Sequence, residues 1–471
     1  MKRPVCARPS TFKGEWPPSR NRGCWNWIMK KTQRSDSRAA GFPPWRGAPV
    51  ALLWDQSMVW GLICVETLNR LGVSHHVLGA SDVAAGALGG YHTLLVPGGW
   101  ASHKVKALEG AGKERIGEFI AAGGGYLGFC GGAGLALSSP PALGLVPIER
   151  MPVRERLPSA SGGVWIRSET AHPAWKGLPQ TIPVSIWWPS QFKWQATAES
   201  LCLASYWKAG NDFCVADLTV TDMKNEAVSW PRWERSYGIN LDPGRLLGHP
   251  AIVEVRRGRG RLVLSYPHLE TPGDLWGNRL FHNLLVFLDL EASRDSGPKS
   301  PPEAPAARFS APPGKGALRL LQSAKESAEA LIEFGERHLF WRWRTDWLLN
   351  WRRGIRGLEY GSMAVALRSL FAEASRSPGI PDDPDPWEEP AGRLESQVRS
   401  FCTLARRLLL EEKRAAQNRV LTKLGTIDKT VDELRGHLFG RRMDHGGVCR
   451  DLFDGVDDLL LQALRLNGQP G

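Results

Sequence analysis

One cysteine lies in a glycine-rich segment with the composition of a nucleophile turn. Cys130 ends the apolar run YLGFC and is followed by Gly131, Gly132 and Gly134. Small residues on both sides permit the sharp turn from strand to helix that exposes a nucleophile at the carboxyl edge of a sheet. The dipole of the following helix would favour the thiolate. The segment alone also fits an ordinary turn that carries a buried, inert cysteine.

A histidine and a glutamate far along the chain supply a candidate base. His268 and Glu270 stand just beyond the apolar run RLVLSY. This spacing lets the carboxylate orient the imidazole, which can then act as the base that a nucleophilic cysteine requires. A lone histidine at this position would more often be structural.

Glycines at a third place complete the candidate catalytic set. Pro97-Gly98-Gly99 ends the apolar run TLLVP. If this strand shares an edge with Cys130, the backbone N–H groups of Gly98, Gly99 and Gly131 could form an oxyanion hole.

Three further residues are candidates for binding the substrate. Asp55 follows the first apolar run at its carboxyl end, where open α/β sheets bind ligands, although a loop-capping acid is the alternative. Trp100 and His103 follow the Gly98-Gly99 turn and would shape access to the site, unless they only lie at the surface.

The elements that must position these residues alternate between strand and helix. Apolar runs alternating with helical patterns predict a parallel sheet covered by helices on both faces. The predicted strands are 49–54, 75–79, 93–97 and 126–130, and the predicted helices are 58–71, 112–122 and 131–138. Short β-rich runs follow from 163 to 266, and a helix over 276–290 closes this unit.

These segments together resemble the class I glutamine amidotransferase superfamily, and within it the biotin–protein ligase amino-terminal domain family. The resemblance spans about 48–290 and is carried by LLVPGGW (94–100), GGGYLGFCGGAGLAL (123–137), HPAWKGLP (172–179), HPAIVEVRRGRGRLVLSYPHLE (249–270) and, more loosely, WWPSQF (187–192). It implies a flavodoxin-like α/β fold with flanking helices.

The resemblance also implies roles for individual residues. Cys130 would be the nucleophile, His268 the base and Glu270 the orienting acid, with oxyanion donors near Gly98, Gly99 and Gly131. The chain departs from glutamine-hydrolysing members at the fourth residue after the nucleophile. They usually carry Gln there to help hold the substrate, whereas this chain has Gly134. Glutamine specificity is therefore not implied.

Ligation of biotin is not expected despite the family name. Gly258-Arg259-Gly260-Arg261 is similar to the glycine–arginine loop of biotin ligases, but it joins two strand-like runs and is typical of a turn. The carboxyl-terminal region is helical and offers no mixed α/β ligase domain. No synthetase domain that would receive ammonia is apparent either, so a true amidotransferase would need a partner.

The composition divides the chain into four parts. Residues 1–49 hold 11 Lys and Arg against 2 Asp and Glu, so most of the net charge of +12 belongs to the amino-terminal segment. We predict a basic flexible leader over 1–47, with a nucleic-acid arm or an overlong gene start as alternatives. The amidotransferase-like domain is predicted over 48–292, a Pro/Ser/Ala-rich linker over 293–316 and a helical domain over 317–471.

Tryptophans are concentrated in the segment FWRWRTDWLLNWRR, residues 340–353. Helical spacing would place Phe340, Trp343, Trp347 and Trp351 on one stripe. Such a stripe indicates a bundle core or a partner-docking face, and a membrane-surface anchor is the alternative.

The remaining composition excludes several classes of protein. No apolar run is long enough to span a membrane, and the cysteines show neither a C-x-x-C pair nor zinc spacing. We therefore predict a cytoplasmic protein without metal or cofactor.

The predicted function is amide or acyl hydrolysis or transfer on a small molecule by a Cys-His-Glu triad. The alternative is a non-catalytic metabolite-binding or regulatory module whose helical region docks a protein; nucleic acid is not an expected partner.

Overall fold

Strands and helices alternate through the first part of the described chain, as the apolar runs predict. The computed structural model describes residues 42–223, 230–296, 302–376, 380–418, 422, 425–440 and 446–468. The strands are β1 (Val50–Leu53), β2 (His75–Leu78), β3 (Thr93–Val96), β4 (Gly125–Phe129), β5 (Glu149–Arg150), β6 (Ala160–Ser168), β7 (Thr181–Trp187), β8 (Phe192–Lys193), β9 (Ser200–Ala209), β10 (Cys214–Val215), β11 (Leu218–Thr219), β12 (Pro250–Arg257), β13 (Gly260–Ser265), β14 (Trp341–Trp343) and β15 (Leu349–Trp351).

The helices cover the sheet and make up most of the carboxyl-terminal region. They are α1 (Val59–Leu71), α2 (Ala80–Ala84), α3 (Ala101–Ala121), α4 (Gly131–Ala136), α5 (Val220–Met223), α6 (Trp230–Tyr237), α7 (Leu275–Ser296), α8 (Lys315–Arg337), α9 (Gly357–Ala374), α10 (Glu388–Ala415), α11 (Lys429–Phe439) and α12 (Gly447–Gly468). Helix α3 is longer than the predicted helix 112–122 and is interrupted at Glu109, whose backbone is not helical.

The main sheet joins a parallel half to an antiparallel half. Strands β2, β1, β3, β4 and β13 lie side by side and parallel, which is the flavodoxin-like order. The sheet continues through β12, β9, β6, β10 and β11 in antiparallel pairs, and β7 pairs with β6. The predicted class, a flavodoxin-like α/β sheet with flanking helices, is confirmed.

Both faces of the parallel strands are buried. Because successive side chains of a strand point to opposite faces, Leu52 and Leu95 pack into one core whereas Leu53 and Leu94 pack into the other. This two-sided burial explains why these strands are apolar throughout. It also leaves their carboxyl ends as the open edge at which polar residues can meet.

The aromatic segment 340–353 is not helical, so its predicted helical stripe is wrong. β14 and β15 form an antiparallel hairpin in which Trp341 pairs with Trp351. Tryptophan and arginine alternate at Trp341, Arg342, Trp343 and Arg344, and this period of two fits a strand. Tertiary packing favours the period of two over helical spacing. Trp341 is buried, and Trp351 packs against the main core.

Most of the predicted leader, residues 1–41, lies outside the described residues. The compact unit that begins at Phe42 includes contacts of Phe42 and Trp45 with the ring of His282 on α7. The backbone N–H of Ala48 donates to Asp289 of the same helix at 3.1 Å. The domain boundaries stay a prediction. Among the described residues, no helix has both the length and the apolar character needed to cross a membrane.

Candidate active site

Cys130 lies in a strained turn between β4 and α4. Its φ of 46° and ψ of −102° place a non-glycine residue in a rarely occupied conformation, as in the nucleophile turns of hydrolases. Its backbone N–H donates to Ser265 O at 2.8 Å, which ties the turn to the end of β13. The half-buried Sγ lies 3.9 Å from the carbonyl oxygen of Trp187.

The glycines after β3 and β4 allow two loops to approach each other closely. A Cβ on Gly131 would overlap the carbonyl oxygen of Gly99, and a Cβ on Gly132 would overlap that of Val96. Gly99 itself has a φ of 102°, which disfavours any other residue. Glycine is therefore required at these positions because backbone contacts backbone there.

His268 and Glu270 form a buried hydrogen-bonded pair. The Nδ1–H of His268 donates to Glu270 Oε1 at 2.6 Å, and both side chains are 0% exposed. Burial by itself would lower the pKa of His268, but the charge of Glu270 and the neighbouring Cys130 sulfur outweigh it and raise the pKa to about 10. The Cys130 sulfur and the His268 ring are therefore neighbours that interact electrostatically.

The backbone and one aromatic ring fix the orientation of His268. Its N–H donates to Ser185 O at 2.8 Å, and its carbonyl accepts from Thr271 Oγ1 at 2.8 Å. The indole of Trp60 stacks on the imidazole with ring centroids 4.2 Å apart. The other ring nitrogen, Nε2, is buried.

The three glycines predicted as oxyanion donors lie in the turns after β3 and β4, which border His268 and carry Cys130. A Cβ on Gly98 would lie 3.2 Å from His268 Cε1, so the turn after β3 borders the imidazole. Gly131 begins α4 next to Cys130. Within the described part of the chain, the N–H groups of Gly98, Gly99 and Gly131 donate no hydrogen bond, and their role as oxyanion donors stays a prediction.

Asp55 lies at the same edge of the sheet but is engaged elsewhere. Its Oδ2 accepts the backbone N–H of Ala80 at 2.6 Å, a loop-capping contact, and burial raises its pKa. The Nζ of Lys104 donates to Asp55 O at 2.8 Å and to Ser57 Oγ at 2.6 Å. These bonds fix the loop whose Gln56 carbonyl borders Gly99.

The other two predicted substrate-binding residues lie at the start of α3. Trp100 precedes the first turn and is half-buried against the main core. His103 is buried within the first turn. Binding of substrate by Asp55, Trp100 and His103 stays a prediction.

Sequence reasoning did not identify the aromatic residues around the site. Trp60 belongs to α1 and has no motif of its own. Trp188 follows β7 with a φ of 46°, lies 6.4 Å from Trp60 between ring centroids, and packs at 4.6 Å against Trp351 of the β14–β15 hairpin. The segment WWPSQF (187–192), which carries the resemblance loosely, was the signal for Trp187 and Trp188.

A family model described as "Biotin-protein ligase, N terminal" matches residues 90–139. The resemblance is confirmed over this segment. It contains β3, β4 and α4, and with them Gly98, Gly99, Cys130 and Gly131. His268 and Glu270 lie outside it. Comparison with curated proteins finds no match to this chain.

Several solved structures are similar to part of this chain at low sequence identity. PurLQS from Thermotoga maritima is 14% identical, with 51% of this chain and 99% of that chain covered and a TM-score of 0.34. A glutamine amidotransferase from Thermotoga maritima is 11% identical, with 54% and 100% covered and a TM-score of 0.31. A β-galactosidase from Rahnella sp. R3 is 13% identical, with 52% and 31% covered and a TM-score of 0.31.

Proposed function

We propose that this chain hydrolyses or transfers the acyl group of a small-molecule amide or related acyl compound through a Cys130-His268-Glu270 triad. The observation that carries the proposal is the buried His268–Glu270 bond beside the strained Cys130 turn. An imidazole that is fully buried, bonded to a carboxylate and stacked on an indole has one orientation, as a catalytic base requires.

The raised pKa of His268 bears on its role in the proposed reaction. With a pKa of about 10, the ring holds a proton at neutral pH. Cys130 would then attack as a thiolate, and His268 would act first as the acid. Glu270 stabilises the imidazolium through the 2.6 Å hydrogen bond.

The proposed reaction has two halves. The Cys130 sulfur adds to the carbonyl carbon, and the N–H groups of Gly98, Gly99 and Gly131 stabilise the oxyanion. As the C–N bond breaks, His268 gives its proton to the leaving nitrogen, and a thioester remains on Cys130. Water then adds to the thioester with His268 as base, the C–S bond breaks, and the carboxylic acid leaves.

Ammonia release from a panel of primary amides tests the proposal. We expect turnover with at least one amide, and we expect Cys130→Ser and His268→Gln to lower it by about 10³-fold or more. Cys202→Ser is the matched control, because Cys202 is also partly exposed but lies on β9. Its turnover should equal that of the wild-type protein.

Alkylation of Cys130 provides a readout that needs no substrate. Peptide-resolved mass spectrometry should show Cys130 reacting with iodoacetamide faster than Cys202, and His268→Gln should change the pH dependence of that rate. If His268→Gln leaves the pH dependence of Cys130 alkylation unchanged and no amide in the panel releases ammonia, the result would support the non-catalytic metabolite-binding module instead.

We also propose an organisation of the chain around this site. Residues 48–292 would form the catalytic domain and 317–471 a helical domain that can dock a protein, with 293–316 as linker and 1–47 as leader. The helical region contacts the loop after β1, since Trp54 Nε1 donates to Asp457 O at 3.0 Å and Gln56 Nε2 to Asp454 Oδ1 at 2.9 Å. Because the cysteines of the described residues are all free, we place the protein in the cytoplasm.

A further inference from the structure

Two arginines near the nucleophile have no acidic partner. Arg150 ends β5 and Arg156 lies in the loop before β6, and both are partly buried. Neither forms an ion pair within the residues that the structure describes, although Arg154 of the same loop pairs with Glu155 at 3.3 Å. Arg150 pairs with Phe192 of β8 and Arg156 Nη1 donates to Ser190 Oγ, so both arginines lie along the segment 190–192. Burial and the charge of Arg150 lower the pKa of Arg156.

Arg150 lies beside the first turn of α4, which begins next to Cys130. The backbone N–H of Gly134 donates to Cys130 O at 2.9 Å, which places Gly134 one turn beyond the nucleophile. A Cβ on Gly134 would lie only 2.8 Å from Arg150 Nη2. The Cys130 sulfur is also close enough to Arg156 to oppose the lowering of its pKa.

Each of the two guanidinium groups has a buried donor without a partner. The Nε atoms of Arg150 and Arg156 are buried and make no hydrogen bond among the described residues. Arg156 Nη1 donates to Ser190 Oγ, which fixes one edge of its guanidinium. Tyr266, buried beside Ser190, follows β13 opposite Cys130.

Such a cluster favours an anionic ligand. Two partly buried positive charges without a counter-ion repel each other, and unpaired buried donors are unfavourable. A carboxylate would neutralise the charge and accept hydrogen bonds from both guanidinium groups, whose planar geometry suits carboxylate oxygens. We propose that Arg150 and Arg156 form an anion subsite beside Cys130, and that the substrate is an amide or acyl compound carrying a carboxylate.

The subsite gives a physical reason for Gly134. A side chain as large as Gln at this position would have to displace the Arg150 guanidinium, because even a Cβ would crowd Nη2. The chain therefore has an arginine in the space that a residue 134 side chain would fill. The carboxylate on the substrate is the new element here; cleavage of its acyl bond by Cys130 rests on the proposed function.

A pair of alkylating agents of similar shape tests the subsite without any turnover. Iodoacetate carries a carboxylate and iodoacetamide does not. We expect the ratio of their rates at Cys130 to exceed the ratio at Cys202 in the same molecules by about tenfold or more. Arg150→Gln and Arg156→Gln should each lower the Cys130 ratio several-fold, and added salt should lower it in the wild-type protein.

Arg154→Gln is the matched control, because it removes the same charge from the same loop at an exposed position. Its ratio should stay at the wild-type value. An equal fall in all three variants would show general electrostatic attraction and overturn the subsite, as would no fall in any of them. Circular dichroism and melting temperatures establish that the variants are folded.

Direct binding separates the failure of the subsite from the failure of the triad. Calorimetry on the Cys130→Ser protein with glutarate, glutaramide and inorganic phosphate should show glutarate binding, no glutaramide binding and loss of glutarate binding in the Arg150→Gln variant. Binding of phosphate in place of glutarate would assign the subsite to a phosphorylated ligand and contradict the carboxylate. If glutarate binds but no amide is hydrolysed, the subsite stands and the catalytic proposal fails.

Discussion

The indole of Trp60 lies face to face with the imidazole of His268, with ring centroids 4.2 Å apart and planes inclined by 26°. Trp60 belongs to α1, and it is almost fully buried. A protonated imidazole over an indole face gains a cation–π attraction, which the carboxylate of Glu270 supplements.

Replacing Trp60 should therefore affect His268 directly. In Trp60→Leu the aromatic face is lost, and we expect the pKa of His268 to fall and ammonia release to drop by roughly tenfold, since a desolvated cation–π contact contributes about 1–2 kcal/mol. Trp60→Phe should retain part of the raised pKa of His268 and part of the ammonia release. The pKa is read from an NMR titration of the His268 ring. If the His268 ring titrates in Trp60→Leu as it does in the wild-type protein, the indole packs against the ring without stabilising its protonated form.

The His268–Glu270 pair predicts how stability depends on pH. The pKa of His268 is raised from 6.5 to about 10, so between these values the folded protein binds a proton that the unfolded chain has released. The free energy of unfolding contributed by this pair is fully present below about pH 6.5 and falls as the pH rises through about 10. Urea unfolding between pH 6 and pH 10 measures the slope. His268→Gln should flatten it, whereas His249→Gln, in the loop before β12, should leave it unchanged.

The contact between the turns after β3 and β4 predicts opposite outcomes for two glycines. Gly131→Ala forces a methyl group against the Gly99 carbonyl, and we expect it to destabilise the protein by roughly 1–3 kcal/mol and to abolish turnover. Gly117→Ala on α3 places its methyl in open space and should stabilise by about 0.5–1 kcal/mol. Thermal unfolding and ammonia release distinguish them. If the two variants have the same melting temperature and the same ammonia release, the close contact between Gly131 and the Gly99 carbonyl is contradicted.

The β14–β15 hairpin predicts a link between the helical region and the site. Trp351 packs at 4.6 Å against Trp188, and Trp188 is adjacent to the carbonyl that contacts the Cys130 sulfur. Trp351→Ala should lower stability by roughly 2–3 kcal/mol and weaken substrate binding, seen as a rise in KM. Trp347→Ala in the turn of the hairpin is the control. If both variants leave KM unchanged, the hairpin acts only as packing.

The sequence predicted the parallel sheet well because buried parallel strands are apolar throughout. Strands β1 to β4 and β13 all coincide with predicted runs, and Cys130, Gly98-Gly99 and His268 each follow one of them. Carboxyl ends of parallel strands share one edge, so their meeting could be anticipated. The hairpin at 341–351 was missed because four aromatic residues fit a helical stripe as well as an alternating strand, and local periodicity did not decide between the two.

What the sequence determined by itself was the local chemistry: a cysteine between small residues, a histidine two positions from a glutamate, and glycines at a strand end. Only the tertiary structure decided what surrounds them. Trp60 stacks on His268, and Arg150 fills the space beside Gly134, although neither residue carries a local signal. The physical reason is that these contacts join residues far apart in the chain, and their energies arise only when the folded sheet brings them together.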